Sequence, residues 1–501
     1  MRKYILEIIV FICGAAVMVL ELIGSRVLAP YLGASIFVWT SLIGIILGSL
    51  SLGYFWGGKI ADKHPNYRIF SSIIFFAGVW IGLVVFFKEI LLEIIQRQIV
   101  DIRIGSVVAV IILFALPSIL LGMVSPFAIR LKIKDIKDSG KTAGNLYAVS
   151  TIGSIVGTFL TGFLLISYLG NTKILFLVAL TLIFVSFIGY VKSISKLRLI
   201  IFLILILSIF SYNPLPHIGS MEIIADVDSQ YSRIWVYEKN IPYTETRIRC
   251  MTINHAYSIG TDTVIFVDND DLAAAYYYFY RLDKFFNPDI KKGLVLGGGG
   301  GSITKDFLKR FPKGNLDVVE IDPMVTQLAQ EYFNLKNDYR FKTIHEDGRT
   351  FINQTMNKYD AIYIDVFKSF YSLPYQLTTL EAVQEMHRLL NDNGVVLVNI
   401  VSAIQGDKGK FLRAEYLTYK QIFPQVLLFP VKSLNPETIQ NIMLVAIKSD
   451  ENDYEQKALN PEIGMEIDRY LQHLYKGEIK IDMPILTDDY APVDNYISEM
   501  L

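Results

Sequence analysis

A chain of 501 residues with 47 Lys and Arg against 48 Asp and Glu has a formal net charge of −1, and that balance argues against a nucleic-acid partner. Its mean hydropathy of +0.40 excludes an ordinary soluble protein of this length. Two cysteines, Cys13 and Cys250, exclude a disulfide framework, and neither has neighbours at metal-ligand spacing. The apolar residues crowd into the first part of the chain. Stretches near the roughly 20 residues that a bilayer requires run over 5–30, 36–58, 69–87, 104–128, 144–169 and 172–191. A seventh, 199–212, is shorter and carries Arg198 at its edge. The first is too long for a cleavable signal, and a second follows almost at once.

Within these stretches, Gly44, Gly48, Gly53 and Gly57, and then Gly153, Gly157 and Gly162, recur at a spacing that lets helix backbones approach closely. Pro117 and Pro126 predict a kink or an end in the fourth helix. Glu21 and Arg26 in the first helix are read as a structural ion pair or a snorkelling arginine, with an intramembrane functional site as the alternative. Basic residues set the orientation. Arg2, Lys3, Lys59, Lys63, Arg68, Arg130, Lys132, Lys134, Lys137, Lys141, Lys192, Lys196 and Arg198 fall on one side; Lys88, Arg97, Arg103 and Lys173 fall on the other. The positive-inside rule puts the first group and the N-terminus in the cytoplasm. Six crossings would return the remaining chain to the cytoplasm, whereas seven would export it.

After Pro214 and Pro216 the pattern changes to alternating polar and apolar residues. Ser232–Glu238, Arg247–Ile253 and Thr263–Val267 read as strands of a small β-rich subdomain. From 293 onward strands alternate with helical patterns: Leu294–Leu296, Asp317–Ile321, Phe341–Ile344, Ala361–Asp365, Val395–Ile400 and Gln425–Phe429, with Leu380–Leu390 among the helices. This alternation predicts a parallel, doubly wound, Rossmann-like sheet. The expected organisation is a multi-span helical domain over 1–213, a β-rich subdomain over 220–290 and a Rossmann-like domain over 291–501.

The motif with most chemistry is Gly293-Leu-Val-Leu-Gly-Gly-Gly-Gly-Gly-Ser302, an apolar strand running into five glycines. Glycine permits so tight a turn and leaves room for a ligand against the backbone, here Gly297, Gly298 and Gly299. Glu320 lies about twenty residues on, the spacing at which a carboxylate accepts ribose hydroxyls. Ligands of such sheets bind beyond the carboxyl ends of the strands. There Asp347-Gly348 suits an adenine amine, and Asp365 faces the reacting centre, where a carboxylate can hold an amine, take its proton or counter a sulfonium. His255, His345 and His387 stand singly and are read as structural. Tyr276-Tyr-Tyr-Phe-Tyr280 is read as core packing rather than a substrate cage, and Leu486-Thr-Asp-Asp-Tyr-Ala-Pro492 as a solvated turn, with an amine-binding loop as the alternative.

The Gly-rich turn, Val319-Glu-Ile-Asp322, Glu346-Asp-Gly348 and Tyr359-Asp-Ala-Ile-Tyr-Ile-Asp365 resemble those of the polyamine aminopropyltransferases, the spermidine synthase family. With Glu21–Arg26 and Leu486–Val493 nearly the whole chain resembles the membrane-fused members. The resemblance implies a class I methyltransferase-type fold and an aminopropyl transfer from decarboxylated S-adenosylmethionine to an amine such as putrescine, releasing methylthioadenosine, with no metal and no prosthetic group. It implies that Glu320 binds the ribose, Asp347 and Gly348 the adenine, and Asp365, catalytic, the attacking amine, with Gln230 also placed at the acceptor. Two positions depart from the family: Gly300 stands where the soluble members have an aspartate, and Lys368 where they have a second acid. The alternatives are a methyltransferase using S-adenosylmethionine itself and a nucleoside-binding membrane sensor or transporter. The expected partners are the small amine and membrane lipid, with a homo-oligomer admitted. The soluble half is expected in the cytoplasm, where the adenosyl donors are made.

Overall fold

The computed structural model describes residues 4–133, 135, 138–189, 195–211, 217–218, 221–253, 263–269, 271–367, 373–450 and 467–500. Lys368, His255, Pro214 and Pro216, which entered the sequence reading, lie outside them. The chain divides into two compact units, Met1–Leu215 with Val227–Arg233, and Pro216–Asp226 with Ile234–Leu501.

The first unit is helical. Its helices are α1 (Ile5–Leu32), α2 (Ile36–Lys63), α3 (Tyr67–Gln98), α4 (Ile102–Lys132), α5 (Ser139–Tyr168), α6 (Asn171–Gly189) and α7 (Lys196–Ser211). Among the described residues, six helices are long and apolar enough to cross a membrane; α7, with 16 residues, spans about 24 Å at 1.5 Å per residue. Glycine sets the closest contacts. A Cβ at Gly153 of α5 would lie 2.1 Å from the Phe11 carbonyl oxygen of α1, and one at Gly53 of α2 would lie 2.3 Å from that of Ile119. Gly44, Gly48 and Gly162, grouped with them by spacing, meet nothing within 4 Å. In α4 the backbone loosens into π geometry over Ile111–Ala115 just before Pro117. Proline has no N–H for the carbonyl four residues back, and the Trp80 indole donates to that carbonyl, Leu113 O, at 3.3 Å.

In the second unit, β1 (His217–Ile218), β2 (Met221–Asp228), β3 (Arg233–Asn240), β4 (Arg247–Thr252) and β5 (Thr263–Phe266) form one sheet in that order. β6 (Lys292–Leu296), β7 (Asn315–Val319), β8 (Phe341–Ile344), β9 (Tyr359–Phe367), β10 (Leu390–Ser402), β11 (Gln425–Pro430) and β12 (Gln440–Ile447) form a seven-stranded sheet, ordered β8-β7-β6-β9-β10-β12-β11. Between them run α8 (Ser302–Arg310), α9 (Pro323–Tyr332), α10 (Gly348–Gln354), α11 (Leu380–Leu389) and α12 (Lys410–Lys420). The sheet is of the expected class I methyltransferase type. It is mixed rather than wholly parallel: β12, which the alternation did not reveal, pairs antiparallel with both β10 and β11. The central strands are apolar on both faces, Ile362, Ile364 and Val395–Val398 being fully buried, because helices cover both sides of such a sheet.

Candidate active site

The carboxyl ends of β8, β7, β6 and β9, four neighbours in the parallel part of the sheet, carry the residues singled out in the sequence. β6 runs into the glycine turn, where Gly297, Gly299 and Gly301 have φ of 90°, 48° and 76°, values that L side chains rarely adopt. Gly298 and Gly299 donate to Glu320 Oε2 at 3.0 and 3.2 Å, and Asp322 N donates to Oε1 at 3.1 Å. Burial pushes the Glu320 carboxyl above its ordinary range while these amides pull it back. Turn and acid thus form one hydrogen-bonded unit.

Gly300 has a tertiary explanation. Its N–H donates to Thr263 Oγ1 of β5 at 3.0 Å. A Cβ there would lie 2.3 Å from Thr263 Cγ2 and 3.1 Å from the Phe333 ring. The space that an aspartate would need is filled by a buried threonine.

Asp347 caps α10, its Oδ1 accepting from Thr350 N at 2.9 Å and Thr350 Oγ1 at 3.2 Å, and Gly348 begins that helix. Asp365 lies two residues inside the end of β9 and is 8% exposed. Asn399 Nδ2 of β10 donates to Asp365 Oδ1 at 3.0 Å, and Asn441 Nδ2 of β12 donates to Asn399 Oδ1 at 3.0 Å. From the other direction the Tyr276 hydroxyl donates to Asp365 Oδ2 at 3.5 Å. Burial, then the neighbouring Asp365 charge, holds the Tyr276 phenol far above its usual range, so it stays a donor. Tyr280 donates to Ile364 O at 2.8 Å. The tyrosine run, a 3-10 helix over Ala275–Leu282, is therefore core packing and site wall together.

The motif beginning at Leu486 is not a loose turn. Asp488 accepts from Arg349 Nη2 at 2.8 Å and Thr379 Oγ1 at 2.6 Å, and Leu486 O accepts from Leu380 N at 2.8 Å. Arg349 follows Gly348 directly, so this segment is fastened beside the cap at Asp347. Gln230 belongs with the helical unit, where its carbonyl oxygen accepts from Arg26 Nη1 at 2.6 Å. Arg26 donates also to Ser229 O at 2.5 Å and Asn171 Oδ1 at 3.1 Å. His345 shares a 3.1 Å hydrogen bond with Thr326 in a groove of 580 Å³ along α9 and β8, at the outer edge of the sheet. Among the described residues no three His, Cys, Asp or Glu side chains are grouped to hold a metal.

Tyr276, Asn399, Asn441 and Thr263 were not singled out as site residues by the sequence reading. A signal existed for two: Tyr276 and Tyr280 stand four apart, and Asn399 interrupts the apolar run Val395–Val401.

Residues 280–457 match the family described as the spermine/spermidine synthase domain. The polyamine aminopropyltransferase of Vibrio vulnificus (strain CMCP6) is 27% identical over 289 residues, 55% of this chain and 92% of that one. An eEF1A lysine and N-terminal methyltransferase homolog of Drosophila melanogaster is 30% identical over 28% of this chain and 21% of that one. Among solved structures, a probable spermidine synthase from Corynebacterium glutamicum has a TM-score of 0.38 at 19% identity, covering 48% of this chain and 85% of that one. The strand order and pairings of the seven-stranded sheet by themselves define a methyltransferase-type α/β fold. More narrowly, residues 280–457, behind the apolar helices, are similar to the spermine/spermidine synthase domain, and the curated relatives of the chain include the polyamine aminopropyltransferases, a transferase family.

Proposed function

We propose that this protein transfers an aminopropyl group from decarboxylated S-adenosylmethionine to a small amine such as putrescine. The observation that carries the reading is Asp365, a buried carboxylate oriented by Asn399 and Tyr276 on the strand next to the glycine turn. In this reading the turn at Gly297–Gly299 and Glu320 hold the ribose side of the donor, and Asp347 with Gly348 holds the adenine. The amine nitrogen attacks the carbon next to the sulfonium. A C–N bond forms, the C–S bond breaks with its electron pair left on sulfur, and neutral methylthioadenosine departs. Asp365 binds the amine and accepts the proton that the new secondary amine sheds. Alignment of both reactants supplies much of the acceleration.

A methyltransferase is the second reading. It is favoured by the methyltransferase relative and by the neutral Thr263 over Gly300, which puts no acid in the turn to select a donor tail bearing only an ammonium. Purified full-length protein, incubated with each donor and a panel of amines, distinguishes them by mass spectrometry. Methylthioadenosine supports aminopropyl transfer and adenosylhomocysteine supports methyl transfer; donor binding with neither product sinks both and leaves a nucleoside-binding sensor or transporter. The six apolar spans support an integral membrane protein in contact with lipid. Six crossings would face the catalytic unit to the cytoplasm, and a seventh would face it to the opposite side.

A further inference from the structure

The two ends of the helical unit differ chemically. At one end Lys132 pairs with Glu7 and Arg130 with Asp62, which brings the start of α1 together with the ends of α2 and α4. The basic residues Lys59, Lys63, Arg68 and Lys141 lie on helix segments or loops of this end. Positive charge of this density marks the cytoplasmic face.

Helix α7 starts there and runs away from it. Arg198 donates to Ser72 Oγ at 2.7 Å and Ser71 Oγ at 3.4 Å, near the beginning of α3. Seven residues on, Leu205 packs over Gly82, where an added Cβ would meet its Cδ2 at 2.9 Å. Both contacts advance in the same chain direction, so α7 is parallel to α3. A rise of 1.5 Å per residue carries Ser211 about 22 Å from Lys196, to roughly the depth of Phe86 on α3.

The next residues described in this unit, Val227–Arg233, are held at that far level. Arg233 Nη1 donates to Glu89 Oε1 at 2.8 Å, and Lys88 Nζ lies 3.0 Å from the same carboxylate. Asp228 accepts from Asn171 N and Nδ2, both at 3.1 Å, at the start of α6. Arg26, six residues before the end of α1, donates to Ser229 O and Gln230 O. The end of α1, the last third of α3 and the start of α6 all belong to the end opposite the basic one.

We propose that α7 is a seventh crossing and that the catalytic unit faces the side of the membrane opposite the cytoplasm. The chain enters the helical unit's far end through α7, and Ile234 follows Arg233 there by covalent continuity. The polar cluster of Arg26, Asn171, Asp228, Glu89 and Arg233 moors this segment where charged groups can reach interfacial water. The contact pattern compensates for the shortness of α7, whose 16 residues fall just under the usual 17 to 25. An adenosyl donor made in the cytoplasm then needs a transport step before it can react.

The test is labelling with a membrane-impermeant maleimide in spheroplasts that express the full chain. Cys13 and Cys250 are buried, so the parent serves as the unlabelled background. Asn240→Cys and Asp289→Cys report on the catalytic unit, and Lys141→Cys reports on the basic end. The proposal expects the first two to label in sealed spheroplasts and Lys141→Cys only after permeabilisation. Labelling of Asn240→Cys and Asp289→Cys only after permeabilisation overturns it and restores six crossings. The readout needs no turnover, so it stands or falls separately from the aminopropyl reading.

Discussion

Asn399 holds Asp365 from the adjacent strand, its side-chain amide donating to Oδ1 at 3.0 Å, and is itself held through its Oδ1 by Asn441. The two amides form a relay across β9, β10 and β12 that leaves Asp365 one orientation. Removing the carboxylate charge with Asp365→Asn is expected to lower kcat by about 10²- to 10⁴-fold, with little change in donor Kd by calorimetry. Unchanged turnover would remove Asp365 from the mechanism.

Asn399 acts through Asp365. Asn399→Leu should lower kcat by about 10- to 100-fold, by analogy with the loss of hydrogen-bond partners that orient metal ligands. It also strands the Asn441 amide, a loss of about 1–3 kcal/mol in a buried site. Asn399→Leu combined with Asn441→Leu should recover much of that stability and none of the rate. Thermal melting and steady-state kinetics on the same preparations separate the two effects.

Thr263 secures the donor turn through Gly300. Thr263→Val keeps the shape and removes the acceptor, so donor KM should rise about tenfold, equivalent to about 1.4 kcal/mol, with kcat little changed. Thr263→Ser should keep the wild-type KM. Gly300→Asp, which installs the residue expected from the family resemblance, should destabilise the unit because its Cβ meets Thr263. A gain in activity from Gly300→Asp alone would show that the turn tolerates the acid.

Glu415 of α12 is fully buried, and among the described residues neither of its carboxylate oxygens has a hydrogen-bond partner. Burial pushes its carboxyl well above the ordinary range, so the folded chain holds it protonated and the unfolded chain ionises it above about pH 4.3. A raised folded pKa means its favourable contribution is complete below that value and is lost as pH rises towards the folded pKa. Glu415→Met should therefore gain in Tm over the parent at pH 8 and gain less at pH 5. A Tm difference that does not vary with pH would contradict a neutral Glu415.

Arg26→Leu removes three hydrogen bonds to the segment at Ser229 and Gln230 and to Asn171. Bonds from a charged donor contribute about 1.5–3 kcal/mol each, although they are not additive. The variant should expose residues 227–233 to limited proteolysis in detergent at concentrations that leave the parent intact.

The glycine turn and its acid were legible because their signals are local. A strand, a run of glycines and an acid at fixed spacing depend on neighbouring residues, and the structure places Glu320 against the turn, where two of its amides donate to the carboxylate. The surroundings of Asp365 were not legible. Asn399 lies 34 residues away and Tyr276 lies 89, and no local pattern says which strands become neighbours. β12 escaped for a related reason: an apolar strand does not announce its direction, and no helix separates it from β11. The segment at Leu486 read as a turn because its acids look solvated until Arg349 and Thr379 are brought to Asp488.

By itself the sequence determined a first part of stretches long and apolar enough to cross a membrane, an α/β second part and a glycine turn with its acid, because periodicity, hydropathy and backbone freedom are properties of short stretches. It also marked the basic end of the helices. Only the tertiary structure decided that Thr263 fills the space at Gly300, that two asparagines aim Asp365, and that α7 runs beside α3 to the far end of the helical unit. Each of those depends on contacts between distant residues, made when apolar faces pack and buried polar groups find partners.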